Sequence, residues 1–346
     1  MHTDALGTAI RRLAAGESLS SDETATAFDV IMRGEATPAR IAAVLMALRV
    51  KGETPEEVAG GARALRNAMV HLPARDPDQL VDTCGTGGGT LQTFNISTAA
   101  ALVAAGAGVR VAKHGNRSFT SRSGSADVLE ALGVAVEVPV EVMQHTLERT
   151  GIVFMFAPLM HPAMRHVGPV RRELAIGTLL NVLGPLANPA GAGRQVVGVS
   201  EAARLPLLAG ALASLGSRHA MVVYGEPGMD EVSPLGCTRV HEVRNGLIGE
   251  WTIDPDRMGL KATSEEEIAG GTPEENARTI LDVLSGERHG GARSAVLLNA
   301  AAAIYVGGKA ATYEEGLEVA RQALDAGKGL QALDALRREE RSDQHQ

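Results

Sequence analysis

The feature that most constrains the fold of this chain is a glycine-rich segment that leads into an alanine-rich stretch. Residues 85–89 read Gly-Thr-Gly-Gly-Gly, and residues 95–98 read Asn-Ile-Ser-Thr. Four glycines in five positions let the backbone adopt positive φ and approach a ligand closely, because no Cβ stands in the way. Asn95, Ser97 and Thr98 lie at the predicted helix start, where unpaired N–H groups and the helix dipole favour an anion. The pattern therefore predicts a phosphate-binding loop.

Two common nucleotide-binding loops do not fit this segment. No Gly-Lys-Ser/Thr ends it, so it is not a Walker loop. No acidic residue follows a second strand at the position where a dinucleotide ribose would be bound. The remaining alternative is a flexible turn followed by a capped helix.

A second polar segment follows the apolar run from Val109 to Ala112. Residues 113–118 read Lys-His-Gly-Asn-Arg-Ser, and residues 121–127 add hydroxyls and another glycine. Ligands of doubly wound sheets bind beyond the carboxyl ends of strands, and Lys113 and Arg117 could neutralise phosphate there. The alternative is that both are solvated surface charges. His114 is open to two interpretations, a general base or a histidine buried against backbone or hydroxyl groups.

Two further segments carry charged candidates. Asp230 and Glu231 follow the predicted strand from Ala220 to Tyr224, and Mg²⁺ prefers a few such oxygens together with waters and substrate phosphates. Arg171 could pair with a carboxylate in a bidentate manner. An exposed acidic loop and an interdomain salt bridge are the respective alternatives.

The chain divides by pattern into a helical part and an α/β part. Residues 1–70 carry helix-start signals only, and their apolar faces need a partner within the chain or in a second subunit. Residues 71–346 form the predicted α/β domain, with a helical segment near 170–185 joining the first part and a charged, frayed tail at 337–346. Short apolar runs between helices predict a mostly parallel central sheet flanked by helices. The predicted strands are 109–112, 134–138, 152–156, 196–199 and 220–224.

Charge and cysteine content exclude several classes of protein. The net charge of −8 argues against a general nucleic-acid or anionic-membrane binder. Two cysteines are too few for a disulfide framework and indicate a reducing compartment. The sequence shows neither a signal peptide nor a long apolar run, so we expect a cytoplasmic protein without a membrane span.

Taken in order, these segments resemble those of the anthranilate phosphoribosyltransferases of the tryptophan pathway. The most specific are the glycine loop with residues 95–98, and residues 113–117 with the Ser-Gly-Ser-Ala-Asp of 123–127. The His-Pro-Ala-Met of 161–164 and the Leu-Gly-Pro-Leu-Ala-Asn-Pro of 183–189 add to them. The resemblance covers nearly the whole chain.

The resemblance implies Mg²⁺-dependent transfer of the phosphoribosyl group of 5-phosphoribosyl 1-pyrophosphate to the amino nitrogen of anthranilate. It implies a homodimer formed through the helical domain, a Mg²⁺ site at Ser97, Asp230 and Glu231, and catalytic roles for Lys113, Asn116 and Arg171. Anthranilate would face Gly85, Asn116 and Arg171. The sugar diphosphate would contact Gly85, Gly88, Gly89, Thr93, Asn95, Ile96, Ser97, Thr98, Lys113, His114, Gly115, Asn116, Arg117, Ser118, Phe119, Thr120, Ser121 and Ser125.

Two positions depart from the family pattern. Gly89 stands where the first loop commonly carries an aspartate, and Gly177 stands where an arginine usually precedes the threonine. Two other functions remain as alternatives: a pyrimidine nucleoside phosphorylase, which would not need the acidic pair, and a nucleic-acid-binding relative that has lost catalysis. The acidic net charge and the presence of both charged segments argue against the second.

Overall fold

The computed structural model describes residues 4–89, 91–118, 122–262 and 264–342. The described residues form the α-helices α1 Ala5–Ala14, α2 Ser21–Met32, α3 Pro38–Lys51, α4 Pro55–Asn67, α5 Ile96–Gly106, α6 Ser125–Ala131, α7 Val140–Thr150, α8 Ala157–Met160, α9 Gly168–Leu174, α10 Leu180–Leu183, α11 Leu205–Ser214, α12 Pro273–Leu284, α13 Gly291–Val306, α14 Tyr313–Asp325 and α15 Lys328–Ser342. The strands are β1 Val81–Gly85, β2 Val111–Gly115, β3 Ile152–Phe156, β4 Arg194–Gly198, β5 His219–Gly225, β6 Thr238–Arg244 and β7 Leu247–Ile253.

Capping side chains begin the amino-terminal helices where the sequence predicts. Ser20 and Glu23 form a reciprocal capping box at the start of α2, and Thr54 and Glu57 form another at the start of α4. Each box satisfies backbone N–H groups that the first turn of a helix leaves unpaired. Thr37 caps α3, whose first residue is a proline.

The amino-terminal helices share one apolar core with α9, α10 and α11. Phe28, Leu45 and Leu183 are fully buried in this cluster, together with residues of β4 and β5 on the adjoining face of the sheet. The expected helix from Val170 to Leu183 is two helices, because α9 ends at Leu174 and α10 begins at Leu180. Ala175 ends α9 in the left-handed region, with φ of 51°. That conformation cannot continue a right-handed helix.

A single seven-stranded sheet forms the centre of the larger part, in the order β3-β2-β1-β4-β5-β6-β7. Strands β1 to β5 are parallel, and β6 and β7 continue the sheet as an antiparallel hairpin. The chain moves outward from β1 through β2 to β3 and then crosses back to β4 on the other side. The crevice at the carboxyl ends of β1 and β4 is therefore a topological switch point, where ligands of such sheets bind. The predicted fold class, a small helical part and a mostly parallel α/β part, is confirmed.

Two local predictions differ from the structure, and two parts of the sheet were not predicted. Residues 134–138 are not a strand: Val134 and Val136 are buried in the core between α6 and α7, and the run is apolar for that reason. The hairpin of β6 and β7 and the first strand were not predicted. Of the tail expected to fray at 337–346, the part up to Ser342 continues α15, and Arg337 Nε donates to the Leu132 carbonyl at 2.5 Å. Residues 343–346 lie outside the described residues.

Alanine fills the core where aromatic side chains are scarce. Helix α13 is buried along its whole length and packs on α5, which is also Ala-rich. Small side chains let the two helix backbones come close together. In the part of the chain that the structure describes, no helix is both long and apolar enough to cross a bilayer.

Candidate active site

A small cleft opens at the switch point of the sheet. Its walls come from the ends of β1, β4 and β5, from the first turn of α5 and from the segment after β5. The lining residues that matter below are Gly85, Ser97, Gly198, Asp230 and Glu231. Residues 85–97, Gly198 and residues 230–231 thus come from three distant parts of the chain and meet in this cleft.

Glycine is required at two strand ends because the Asp230 segment lies directly against them. A Cβ on Gly85 would overlap the Asp230 carboxylate, and a Cβ on Gly198 would overlap the Asp230 carbonyl oxygen. In the first loop, Gly87 and Gly88 adopt φ of 69° and 80°. The glycine run therefore supplies both close approach and left-handed turns, as expected.

The acidic pair is bonded to the phosphate-binding elements. Asp230 Oδ2 accepts a hydrogen bond from the Gly87 N–H at 2.9 Å, and Glu231 Oε1 accepts one from the Ser97 N–H at 3.0 Å. Burial raises the pKa of the Asp230 carboxyl. Burial, and then the neighbouring Asp230, raise the pKa of Glu231 well above its usual value. Two carboxylates that repel each other in a buried site favour a divalent cation between them and a substrate.

The donor set fits Mg²⁺. Glu231 Oε2 is buried and has no hydrogen-bond partner among the described residues, and Ser97 lines the same cleft. The described residues contain no group of three or more His, Cys, Asp and Glu side chains that could hold a metal. Two carboxylates and a hydroxyl are nevertheless enough for Mg²⁺, which keeps waters and phosphate oxygens as its other ligands.

Lys113 is a buried cation beneath the first loop. Its Nζ donates to the carbonyl oxygen of Thr83 and lies 3.3 Å from both Thr83 Oγ1 and Ser97 Oγ. Burial lowers the pKa of Lys113, and the nearby Asp82 carboxylate opposes that shift. The solvated-surface alternative is therefore wrong for this residue, which is 3% exposed.

Asp82 is a functional candidate that our sequence reasoning missed. It is fully buried in β1 and accepts hydrogen bonds from the His114 N–H at 3.0 Å and from Asn188 Nδ2 at 2.8 Å. Burial raises the pKa of Asp82, and Lys113 is the first of the groups that lower it. The available signal was an aspartate inside an apolar strand, which has to be paired when buried.

His114 is a buried neutral histidine. Its ring packs on the ring of His161, with 4.9 Å between centroids. Burial, and then His161, lower the pKa of His114 to about 3. A group with that pKa is a weak base at neutral pH. The structure therefore favours the buried interpretation over the general base.

Arg117 bonds to carboxylates of its own chain. Its guanidinium pairs with Asp127, Glu130 and Glu137 and lies over the ring of Phe156. The hydrogen bonds to Glu130 and then Glu137 raise the pKa of Arg117 above its usual value. In this conformation its charge is compensated within the chain. A contact of Arg117 with the sugar diphosphate stays a prediction.

The second loop is held by hydrogen bonds between its backbone and α6. The Asn116 N–H donates to Ser125 Oγ at 3.2 Å, and the Ser118 N–H donates to Asp127 Oδ2 at 3.1 Å. A Cβ on Gly115 would overlap Ser125 Oγ. The predicted contacts at Phe119, Thr120 and Ser121 lie outside the described residues.

The predicted contact residues at the start of α5 differ in what their side chains can offer. Ile96 is fully buried, so any contact with a ligand would involve its backbone. Thr98 Oγ1 is buried and has no partner among the described residues. The Asn95 amide bonds to Ser123 and Asn276. Thr93 pairs through its backbone with Ala269, and Gly89 would place a Cβ 3.5 Å from Asp230 Oδ1.

Arg171 is a half-buried guanidinium on α9, and the part of the chain that the structure describes places no carboxylate against it. Burial lowers its pKa. Its exposed neighbour Arg172 and the exposed Gly177 lie nearby along the chain. An uncompensated, partly desolvated arginine has free donors for a planar carboxylate. The interdomain salt bridge is not formed among these residues.

Two family models match the chain. The model of the glycosyl transferase family helical bundle domain matches residues 8–69, and that of the glycosyl transferase family a/b domain matches residues 77–330. Among curated proteins, the anthranilate phosphoribosyltransferase of Rubrobacter xylanophilus is 52% identical over 94% of this chain and 95% of its own length. That of Anaeromyxobacter sp. is 50% identical over 95% of this chain and 96% of its own.

Solved structures agree with these relatives. The crystal structure of the anthranilate phosphoribosyltransferase from Thermus thermophilus superposes with a TM-score of 0.91 at 45% identity, over 96% of this chain and 99% of that one. The enzyme from Saccharomyces cerevisiae in complex with PRPP and Mg superposes with a TM-score of 0.88 at 28% identity, over 98% and 99%.

Proposed function

Because this chain belongs to the anthranilate phosphoribosyltransferase family of glycosyl transferases, we propose that it transfers the phosphoribosyl group of 5-phosphoribosyl 1-pyrophosphate to the amino nitrogen of anthranilate. The bond between the anomeric carbon and pyrophosphate breaks, a carbon–nitrogen bond forms, and pyrophosphate leaves with the electron pair. The amine loses one proton, which goes to solvent or to a pyrophosphate oxygen. The product is N-(5-phosphoribosyl)anthranilate, an intermediate of tryptophan biosynthesis. The main structural support for this proposal is the acidic pair, Asp230 and Glu231, which accepts hydrogen bonds from the N–H groups of Gly87 and Ser97 at the switch point.

The phosphate groups of the sugar bind between the two polar loops. The first loop brings backbone N–H groups and the amino end of α5 towards an anion, and the N–H groups of Gly87 and Ser97 donate to Asp230 and Glu231. Lys113 adds a buried positive charge next to Ser97, and this charge favours an anion bound at the first loop. Asn95, Thr93 and Ile96 shape this loop, and Asn116, Ser118 and Ser125 shape the second one.

The enzyme uses Mg²⁺, held by Ser97, Asp230 and Glu231. When bound, the ion supplies positive charge to the diphosphate oxygens, which become more negative as pyrophosphate leaves. The protein keeps both carboxylates in place through the N–H groups of Gly87 and Ser97. A Cβ built on Gly89 would lie 3.5 Å from Asp230 Oδ1, so an aspartate at this position would place a third carboxylate next to the acidic pair. With glycine at position 89, that carboxylate is missing.

Anthranilate is oriented by Arg171 and Asn116 together with the backbone at Gly85, which lines the cleft. The amine of anthranilate already has a lone pair, so attack on the anomeric carbon needs orientation more than a strong base. Arg171 offers a planar fork of donors to the anthranilate carboxylate. The weakly basic His114 is consistent with a reaction that needs no histidine base.

We also propose how the chain is divided into domains and how its subunits associate. We place the division between the helical and α/β domains near residue 70, with residues 170–185 returning to the helical one. Closure of the two domains over the cleft would exclude water that hydrolyses the activated sugar. The active form is a homodimer through the helical domain, and the enzyme works in the cytoplasm.

The test is a fluorescence assay of anthranilate consumption with 5-phosphoribosyl 1-pyrophosphate, with and without Mg²⁺. We expect turnover that requires all three components and releases one pyrophosphate per anthranilate. Phosphorolysis of thymidine without Mg²⁺, and no consumption of anthranilate, would overturn the proposal.

A further inference from the structure

We propose that Asn276, on α12, is a positioning residue that holds both phosphate-binding loops in register for the sugar diphosphate. This inference rests on the proposed function. Asn276 is 3% exposed and stands in a segment that our sequence reasoning did not connect with the site. Within the described part of the chain, its side chain makes no hydrogen bond to an N–H group of either loop, and it affects the loops through its bond to Asn95.

The amide of Asn276 bonds on both sides. Its Nδ2 donates to Asn95 Oδ1 at 2.9 Å, and its Oδ1 accepts from the Gly271 N–H at 2.7 Å. A buried amide that makes both bonds has one rotamer and one orientation. Asn276 therefore connects the segment before α12 with the start of α5.

Asn95 transmits this constraint to the second loop. Its Oδ1 also accepts from Ser123 Oγ at 3.2 Å, and its Nδ2 donates to the Ser123 carbonyl at 3.2 Å. Asn95 lies at the start of α5, and Ser123 lies just before α6. The amide of Asn95 is thus a cross-link between the two loops, and Asn276 fixes the orientation of that amide.

The segment from Ile268 to Gly271 supports residues 92–94, which lie between the glycine run and α5. The Phe94 N–H donates to the Ile268 carbonyl at 3.1 Å, and the Gly270 N–H donates to the Gln92 carbonyl at 2.8 Å. A Cβ on Gly270 would overlap the Thr93 carbonyl. Since Asn276 bonds to Gly271, it holds this backing segment and the loop in front of it at once.

The consequence concerns the first turn of α5. The Ser97 N–H donates to Glu231, so a shift of Asn95 would move the first turn of α5 and, with it, the support of the acidic pair. Outer partners of a metal site typically change affinity or activity by about 10- to 100-fold when removed. In the part of the chain that the structure describes, the Asn276 side chain bonds to Gly271 and Asn95 and not to Arg171. Loss of Asn276 should therefore weaken sugar-diphosphate binding selectively.

The experiment compares Asn276→Ala and Asn276→Asp in the full-length enzyme. In Asn276→Asp, one carboxylate oxygen can still accept from the Gly271 N–H, but the other lies against Asn95 Oδ1 and the two oxygens repel. A flip of the Asn95 amide would remove this repulsion but would place Asn95 Oδ1 against the Ser123 carbonyl oxygen instead. We expect the KM for 5-phosphoribosyl 1-pyrophosphate to rise about tenfold or more in both variants, with the KM for anthranilate changed less than about twofold.

The matched control is Tyr313→Phe, which removes another buried hydrogen bond, from the Tyr313 hydroxyl to the Leu298 carbonyl at 2.9 Å. It should lower the melting temperature and leave both KM values unchanged. If Asn276 variants lose only stability, as the control does, or if Asn276→Asp has a wild-type KM, the inference is wrong. An inactive wild-type enzyme in the same assay would instead refute the proposed function.

Discussion

The Asp230 side chain determines which residue types are allowed on the neighbouring strand end. Gly85 has no room for a Cβ, because the Asp230 carboxylate occupies that space while it accepts from the Gly87 N–H. The residue types at these positions are therefore a consequence of the site rather than of strand formation. Alanine would be acceptable to the strand itself.

We expect Gly85→Ala to lower kcat/KM by roughly 10- to 100-fold, the typical cost of disturbing the support of a metal site. The added methyl group pushes the Asp230 carboxylate away from Gly87. Gly249→Ala on β7 is the control, since a Cβ there meets no atom within 4 Å. Steady-state assays at saturating Mg²⁺ measure the effect, and equal activity of the two variants would contradict the steric argument.

The proposed role of Arg171 likewise depends on a single side chain, a guanidinium that no carboxylate of the described residues compensates. We expect Arg171→Ala to raise the KM for anthranilate by about 10- to 100-fold, as for loss of hydrogen bonds to a charged group. The KM for the sugar diphosphate should stay near that of the wild type. Arg172→Ala, one residue along and exposed, is the control. An unchanged KM for anthranilate in Arg171→Ala would remove this residue from the site.

At the scale of elements, a network far from the cleft holds the antiparallel hairpin to the parallel sheet. Glu242 on β6 accepts hydrogen bonds from His219 on β5, Trp251 on β7 and Tyr305 on α13, at 2.7, 2.8 and 2.8 Å. Burial acts to raise the pKa of Glu242, but these hydrogen bonds outweigh it and lower the pKa to about 2. Four elements thus share one carboxylate.

This network predicts a pH-dependent stability. The folded pKa of Glu242 lies below the ordinary value of 4.5, so its contribution is fully present above about pH 4.5 and is lost as the pH falls toward 2. We expect Glu242→Gln to lower the free energy of unfolding at pH 7 by an amount on the order of 2 kcal/mol.

Urea unfolding at a series of pH values measures this effect, and the difference between wild type and variant should shrink in acid. Glu250→Gln is the control, since that carboxylate is exposed and its contact with His241 is 3.8 Å. A difference that stays constant down to pH 2.5 would assign the effect to packing rather than to charge.

At the scale of the whole molecule, the cleft joins segments from most of the chain, so ligands should stabilise the complete fold. We expect 5-phosphoribosyl 1-pyrophosphate with Mg²⁺ to add about 2.7 kcal/mol of stability at a hundredfold excess over Kd. The increase should require the metal. Scanning calorimetry, with and without each component, measures it.

The double variant Asp230→Asn with Glu231→Gln should lose the Mg²⁺-dependent part of this stabilisation and most activity. Asp256→Asn with Glu265→Gln, two exposed carboxylates, is the matched control. Mg²⁺-dependent stabilisation of wild-type size in the first double variant would show that these two carboxylates do not hold the ion.

The sequence alone determined the local features of this protein. Caps such as those of Ser20 and Thr54 predicted helix starts, and the glycine run predicted a loop with positive φ. Short apolar runs predicted most parallel strands, although residues 134–138 have the same pattern and are buried without pairing. These features depend on backbone conformations that neighbouring residues determine.

Only the tertiary structure decided which of these segments meet. Asp230 bonds to a loop 143 positions away, and sheet order, not local pattern, brings them together. The same holds for Arg117, which is compensated within its own chain, and for Asp82 and Asn276, which bond inward. Burial and partner choice depend on long-range packing, because a polar side chain that loses water takes whichever partner the fold places within reach.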